Sequence, residues 1–168
     1  MKIIISGAGE VGSHLAKMLR NEANDICVID SNQQRLTALS ETADVVTVCG
    51  NPASIEVLKN AGAEKADLFV AVNPSTSQNV NVVCSALAKS LGSKKVVCRV
   101  NNEEYLAYDN KYLFSDMGID LLFYPEKIAA GEIVDLLKRS ASTEAMEFGR
   151  GKLQISVYKL EEDSPIID

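Results

Sequence analysis

The sequence predicts an α/β domain, a doubly wound parallel sheet of six strands with helices on both faces. Three observations lead there: β-branched runs recur along the chain, the segments between them carry apolar residues at helical period, and Ser, Asn and Gly punctuate the junctions. The runs at 2–6, 26–30, 45–49, 68–72 and 96–100 lack polar alternation, as strands covered on both faces do. A first helix is expected over 10–22, with Val11, Leu15, Met18 and Leu19 on one face. Ser31 and Asn32 open a second helix ahead of Leu36 and Leu39, Ser54 a third ahead of Val57 and Leu58, and residues 75–77 a fourth that carries 80–91. Gly62 and Gly92 stand where the third and fourth should stop. Strands and helices alternating in this way require right-handed crossovers.

Past residue 100 the pattern continues with a short helix over 103–111, a sixth strand over 119–124 and a helix over 126–139 opened by Pro125. Ile128, Ala129, Ile133, Val134 and Leu137 give that last helix a broad apolar face, which must pack on something. Residues 140–151 turn polar and read as a linker. Residues 152–160 then alternate, with Leu153, Ile155 and Val157 inward, as one amphipathic strand without a partner nearby in sequence.

Composition narrows the function. The 168 residues hold 17 Lys+Arg against 23 Asp+Glu, a net charge of −6, and no basic run that could neutralise a row of phosphates, so no nucleic-acid partner is expected. Apolar residues make up 46% and charged residues 24%, as in soluble globular domains, and no apolar run is long enough to span a bilayer. Gly7 falls where a secretory apolar region would have to continue, which points to a cytoplasmic protein. Cys27, Cys49, Cys84 and Cys98 form no CxxC pair, and His14 is the only histidine, so no metal site is expected. Cys27, Cys49 and Cys98 sit in strand runs, where free thiols behave as small core hydrophobes.

Directly after the first strand comes Gly7-Ala8-Gly9-Glu10-Val11-Gly12, the G-x-G-x-x-G spacing of a Rossmann-type dinucleotide fold. Gly7 makes the tight turn, Gly9 lets backbone approach a pyrophosphate, and Gly12 lets helix and strand pack closely. The pyrophosphate would sit on the helix N-terminus, whose unpaired N–H groups favour an anion. Asp30 closes the second strand 18 residues after Gly12, near the interval at which a carboxylate reaches the ribose hydroxyls. A carboxylate there accepts from 2′-OH and 3′-OH and repels a 2′-phosphate, so NAD(H) is expected over NADP(H). Arg35, one turn into the next helix, is placed to lie over an adenine or to pair with Asp30.

Other candidates follow the remaining strands, where ligands bind in this architecture. Gly50 and Asn51 could contact adenine or ribose, and Asn73 and Pro74 the second ribose; ordinary turn chemistry is the competing explanation for each. Arg99 is costly in an apolar strand unless it meets a carboxylate or a phosphate. No proton-transfer machinery accompanies the pocket: His14 lies on the second turn of the first helix, and Tyr-x-x-x-Lys and Gly-x-Ser-x-Gly are absent. The pattern favours a sensor; a small NAD-dependent oxidoreductase or a methyltransferase is the enzymatic alternative.

The opening residues 1–12, Val28-Ile29-Asp30 with Arg35, the 67–72 strand, and Arg99-Val100-Asn101 with Tyr105 resemble the KTN/RCK domains of Trk-type potassium-uptake regulators. Met117-Gly118-Ile119-Asp120, Tyr124-Pro125-Glu126 and the helix that follows extend the resemblance over nearly the whole chain. It implies an NAD site on Gly7, Ala8, Gly9, Glu10, Val11, Asp30, Asn73, Pro74 and Arg99, with ATP or ADP able to use the same crevice. It also matches Asn81 to a recurrent family asparagine. Asn51 and Gln78 depart from it, standing where acids are common in the family. The resemblance further implies a dinucleotide-binding domain over 1–140, with 141–168 a linker and the first strand of a truncated C-terminal domain. Its remaining implications are a homodimer or higher homo-oligomer through the helix near 126–139 and a membrane potassium transporter as partner, which would bring the protein to the inner face of the membrane.

Overall fold

In the computed structural model, residues 1–20, 24–138, 144–148 and 153–157 are described. The chain divides into two compact units, Met1–Tyr124 and Pro125–Asp168. In the first, six strands form one all-parallel sheet in the order β3-β2-β1-β4-β5-β6, with β1 Lys2–Ser6, β2 Asp25–Asp30, β3 Val46–Cys49, β4 Leu68–Ala71, β5 Lys95–Arg99 and β6 Leu121–Phe123. The order reverses between β1 and β4, and a crevice opens at the carboxyl ends of the strands on either side of that reversal.

The apolar runs explain the two packed layers. On one face Ile3, Ile5, Val28 and Val70 meet α1 (Glu10–Arg20) through Ala16 and α2 (Gln33–Ser40) through Leu36 and Leu39. On the other, Ile4, Ile29, Phe69 and Val96 meet α3 (Ile55–Asn60) through Leu58 and α4 (Gln78–Leu91) through Cys84 and Ala88. Side chains alternate across each strand, so adjacent isoleucines serve opposite layers. The expected stops hold: Gly62 and Gly92 carry φ of 81° and 126°, which only glycine adopts cheaply. Asn32 caps α2, accepting the N–H of Gln34 at 2.9 Å and of Arg35 at 3.3 Å. Ser54 stands at the start of α3 but makes no side-chain cap.

Several expectations need correction. The helix expected over 103–111 is two 3-10 turns, Glu103–Leu106 and Tyr108–Asn110, followed by α5 at Lys111–Asp116. Ala107 adopts ψ 142° between the two turns, and Asn102 and Asn110 bond to the main chain of Glu104, so local side-chain bonds displace a continuous helix. Cys27 and Cys98 are buried as expected, and Cys84 on α4 is buried too, but Cys49 is exposed at the carboxyl end of β3. Burial pushes the Cys84 thiol up to about 12 and those of Cys27 and Cys98 up to about 11.

The second unit holds α6 (Pro125–Lys138), whose Ile128, Ile133, Val134 and Leu137 are exposed. Part of the stretch read as a linker is a strand: β7 (Glu144–Phe148) pairs antiparallel with β8 (Leu153–Val157). The amphipathic strand therefore has a partner nearby in sequence, and its Leu153, Ile155 and Val157, expected to face inward, are exposed. The rest of the linker, the ends of the expected 152–160 strand and the last residues of the first helix lie outside the described residues.

Candidate nucleotide-binding site

The turn from β1 into α1 is built as the glycine spacing requires. Gly7 has φ 111°, donates its N–H to the Ile29 carbonyl at 2.7 Å, and lies so near β4 that a Cβ would meet the Asn73 nitrogen at 2.9 Å. At Gly12 a Cβ would overlap the carbonyl oxygen of Gly7 and press on Val72 Cγ2 at 3.2 Å. These two glycines are explained by the protein's own packing. Gly9 is different, since a Cβ there would have nothing within 4 Å. Its bareness leaves open space directly before the first turn of α1, where N–H groups have no intrahelical partner.

Asp30 ties this loop to β2. It is 4% exposed; Oδ2 accepts the Ala8 N–H at 2.7 Å and Oδ1 the Asn32 N–H at 2.8 Å. Of the two places open to Arg35, it takes the one beside the carboxylate, its Nη1 lying 3.9 Å from Asp30 Oδ2. Each carboxylate oxygen retains a further lone pair for a hydroxyl donor. Ser13 Oγ closes the loop from the helix side by donating to the Ala8 carbonyl at 3.0 Å.

Two clefts meet at Gly9 and Glu10. One, of about 250 Å³, is lined by Gly9, Glu10, Val11, Val72, Pro74 and Arg99. The other, of about 330 Å³, brings Ala8, Gly9, Glu10 and Arg35 together with Ser13 and Lys17. Gly50 and Asn51 line neither. Gly50 donates its N–H to the Asp30 carbonyl at 3.0 Å and is needed as glycine because a Cβ would press on Val57 Cγ2 at 2.6 Å. Asn51 Oδ1 accepts the Ala53 N–H at 3.0 Å, a local turn. The Asn73 side chain is buried instead of lining a cleft, and its Nδ2 donates to Ser6 Oγ at 2.8 Å and Asn81 Oδ1 at 2.9 Å.

Reading the residues alone gave Gln78 and Ser6 no part in this region. Gln78 Oε1 accepts the N–H groups of both Asn101 and Asn102, at 2.7 and 3.0 Å, and so holds the chain leaving β5. No spacing rule marks such a residue; only its place at the first turn of α4, beside the strand ends, suggests it. A third and larger opening, about 920 Å³, lies between α1 and the face of β4, β5 and β6. It is lined mainly by apolar side chains, among them Leu15, Val70, Val97 and Phe123.

The switch-point crevice, the glycine turn and the buried acid after β2 define a Rossmann-type domain of the nucleotide-binding class. Residues 3–125 match the TrkA-N domain family, and the chain belongs to that family. It is 37% identical over 161 residues to the Trk system potassium uptake protein TrkA of Haemophilus influenzae, covering 95% of this chain and 35% of that protein. It is 36% identical over 165 residues to the TrkA homolog of Archaeoglobus fulgidus, covering 98% of this chain and 36% of the relative. The chain thus spans about a third of the length of these relatives. Among solved structures it is similar to the TrkA-N domain of the inner membrane protein ybaL from Escherichia coli, with a TM-score of 0.68 at 23% identity over 81% of this chain and 96% of that one. The GsuK channel bound to NAD matches at TM-score 0.60 and 19% identity, over 72% of this chain and 21% of the channel chain, which is a likeness of fold.

Proposed function

We propose that the chain is the nucleotide-sensing domain of a Trk-type potassium-uptake regulator, binding NAD(H) across the carboxyl ends of the strands. The observation that carries this is Gly9: packing explains Gly7 and Gly12, whereas the space a Cβ would fill at Gly9 fits a pyrophosphate seated on the α1 N-terminus. Asp30 and Ala8 would hold the adenosine ribose, with Arg35 beside them. Arg99 and Pro74 would face the second half of the ligand, and Gly50, Asn51 and Asn73 would shape the rim. ADP or ATP would use the same crevice. The carboxylate of Asp30, already buried against two N–H groups, leaves no room for the charge of a 2′-phosphate.

The role we assign is regulatory and non-catalytic. Binding would favour one arrangement of paired domains and so bias a membrane potassium transporter, the partner class that the TrkA relatives suggest. The exposed apolar face of α6 would supply a homodimer surface, with residues 141–168 opening a second small domain. The protein would act from the cytoplasm, at the inner face of the membrane through that partner. Titration of NADH by fluorescence tests the reading. Enhancement without turnover over a substrate panel is expected, with NADPH bound at least tenfold more weakly. Asp30→Asn should lower NADH affinity by about tenfold, roughly 1.4 kcal/mol. Tighter binding of NADPH, or undiminished NADH affinity in Asp30→Asn, would overturn the assignment.

A further inference from the structure

Asn81 lies in the first turn of α4, 1% exposed, with every hydrogen-bonding position of its amide in use. Its Oδ1 accepts the Asn73 N–H at 3.0 Å and Asn73 Nδ2 at 2.9 Å. Its Nδ2 donates to the Asn73 carbonyl at 3.2 Å and to the Arg99 carbonyl at 3.2 Å. Both partners sit at strand ends. β4 finishes at Ala71 and β5 at Arg99, so Asn73 lies beyond the last ladder bond of its strand. One buried amide therefore ties the carboxyl ends of β4 and β5 to each other and to α4. Asn73 passes the constraint on to β1 through Ser6 Oγ, whose own contact is Cys84 Sγ at 3.7 Å.

The backbones held in this way carry Pro74 and Arg99, which line the cleft on the far side of the glycine turn from Asp30. A Rossmann-type fold consists of two mononucleotide-binding halves, and this cleft belongs to the second. Resting on the nucleotide-binding reading above, we infer that Asn81 is a positioning residue for that second half-site: it sets the β4 and β5 ends against which the part of a dinucleotide beyond the pyrophosphate rests. It bonds neither to Asp30 nor to Ala8, whose N–H Asp30 holds, and reaches the glycine turn only at second hand, through the packing of Asn73 against Gly7. A ligand that spans both halves therefore depends on Asn81 far more than one confined to the Asp30 side.

Asn81→Asp keeps the shape and Oδ1, but turns the donor facing two carbonyls into a third oxygen. The experiment compares NADH with AMP on the full chain by calorimetric titration. NADH affinity should fall at least tenfold in Asn81→Asp while AMP affinity changes less than twofold. Ser6→Ala, which removes one acceptor from Asn73 Nδ2 and leaves every main-chain bond, should shift the same ratio in the same direction by about threefold, and it decides the matter if Asn81→Asp does not melt cooperatively. Equal losses for both ligands, or none for either, would overturn the inference and leave the nucleotide site standing. A wild-type chain that binds neither ligand would overturn both.

Discussion

The two edges of the parallel sheet meet the same problem, strand ends whose backbone groups have no ladder partner, with different chemistry. At the amino edge, Asp67 Oδ2 accepts the Lys2 N–H at 2.8 Å and Asp120 Oδ2 the Val96 N–H at 2.7 Å. Each acid is backed by a lysine in water: Lys94 Nζ lies 2.7 Å from Asp67, and Lys89 Nζ 2.9 Å from Asp120. At the carboxyl edge, the corresponding work falls to the buried Asp30 and to the neutral amides of Asn73 and Asn81. Exposed ion pairs are cheap to form and cheap to lose, whereas a buried polar network is costly to disturb. The amino edge is thus a set of separable clips, and the carboxyl edge is one rigid unit beside an open crevice.

The largest expected effect tests that rigidity. Gly12→Ala drives a methyl group into the Gly7 carbonyl and against Val72, with backbone on one side and no flexible chain end to give way. Overpacking of this kind costs roughly 3 kcal/mol, or about 6–12 °C in Tm for a chain of this size. Gly9→Ala, three residues earlier in the same loop, has open space and should melt within about 1 °C of wild type, yet lose at least tenfold in NADH affinity. Thermal melts and NADH titrations of the two variants check the contrast. Equal Tm losses would show that Gly9 is a packing glycine after all.

The amino edge should answer to acid. The Lys94 ammonium and the Lys2 N–H hold the Asp67 carboxyl below its ordinary value of 3.8. For Asp120, partial burial pushes upward, but the Lys89 ammonium and the Val96 N–H outweigh it and the net shift is also downward. A depressed carboxyl pKa means that the unfolded chain binds the proton more readily. Its stabilisation is therefore complete above 3.8 and disappears as pH falls through the folded-state value. Asp120→Asn should lower stability at pH 7 only slightly, by less than about 1 kcal/mol for so exposed a pair, and the gap in Tm from wild type should close below pH 3.8. Melts across pH 2.5 to 7, roughly the span over which such carboxyls titrate, check this; a gap that widens in acid would contradict the assigned sign.

The glycine turn and the strands were legible in sequence, whereas the amide network at the carboxyl edge and the acid–lysine clips at the amino edge were not. Gly7, Gly9, Gly12 and Asp30 are readable because a phosphate and a ribose demand fixed residue types at fixed spacing. The strands are readable because β-branched runs buried on both faces leave no polar alternation. Asn81 and Gln78 obey no such rule: each acts through a contact between α4 and strand ends 8 to 24 positions away, which only the fold creates. The broken 103–111 helix fails for a related reason, since asparagine bonds to Glu104 outweigh a weak helical period. The strand at Glu144–Phe148 was hidden because the polar composition of 140–151 reads as a linker, and pairing with Leu153–Val157 decides otherwise.

Cysteine makes the smallest and sharpest probe of the difference between interior and carboxyl edge. Cys49 was read with the core thiols because it ends a Val/Ile-rich run, but the run ends with it: it is Asp30's ladder partner at the last register position of β3, and its thiol is exposed. At pH 8 a thiol raised to about 11, as in Cys27 and Cys98, is ionised only about once in a thousand, and Cys84 at about 12 less still. An aromatic disulfide reagent should therefore modify one thiol per native chain quickly and the other three only after denaturation. Cys49→Ser should abolish the fast phase and leave Tm within about 1 °C, since an exposed side chain contributes little packing. A fast phase that survives in Cys49→Ser would mean that an interior thiol opens to solvent, and the layer between the sheet and α4 would then be the mobile part of the molecule rather than its rigid one.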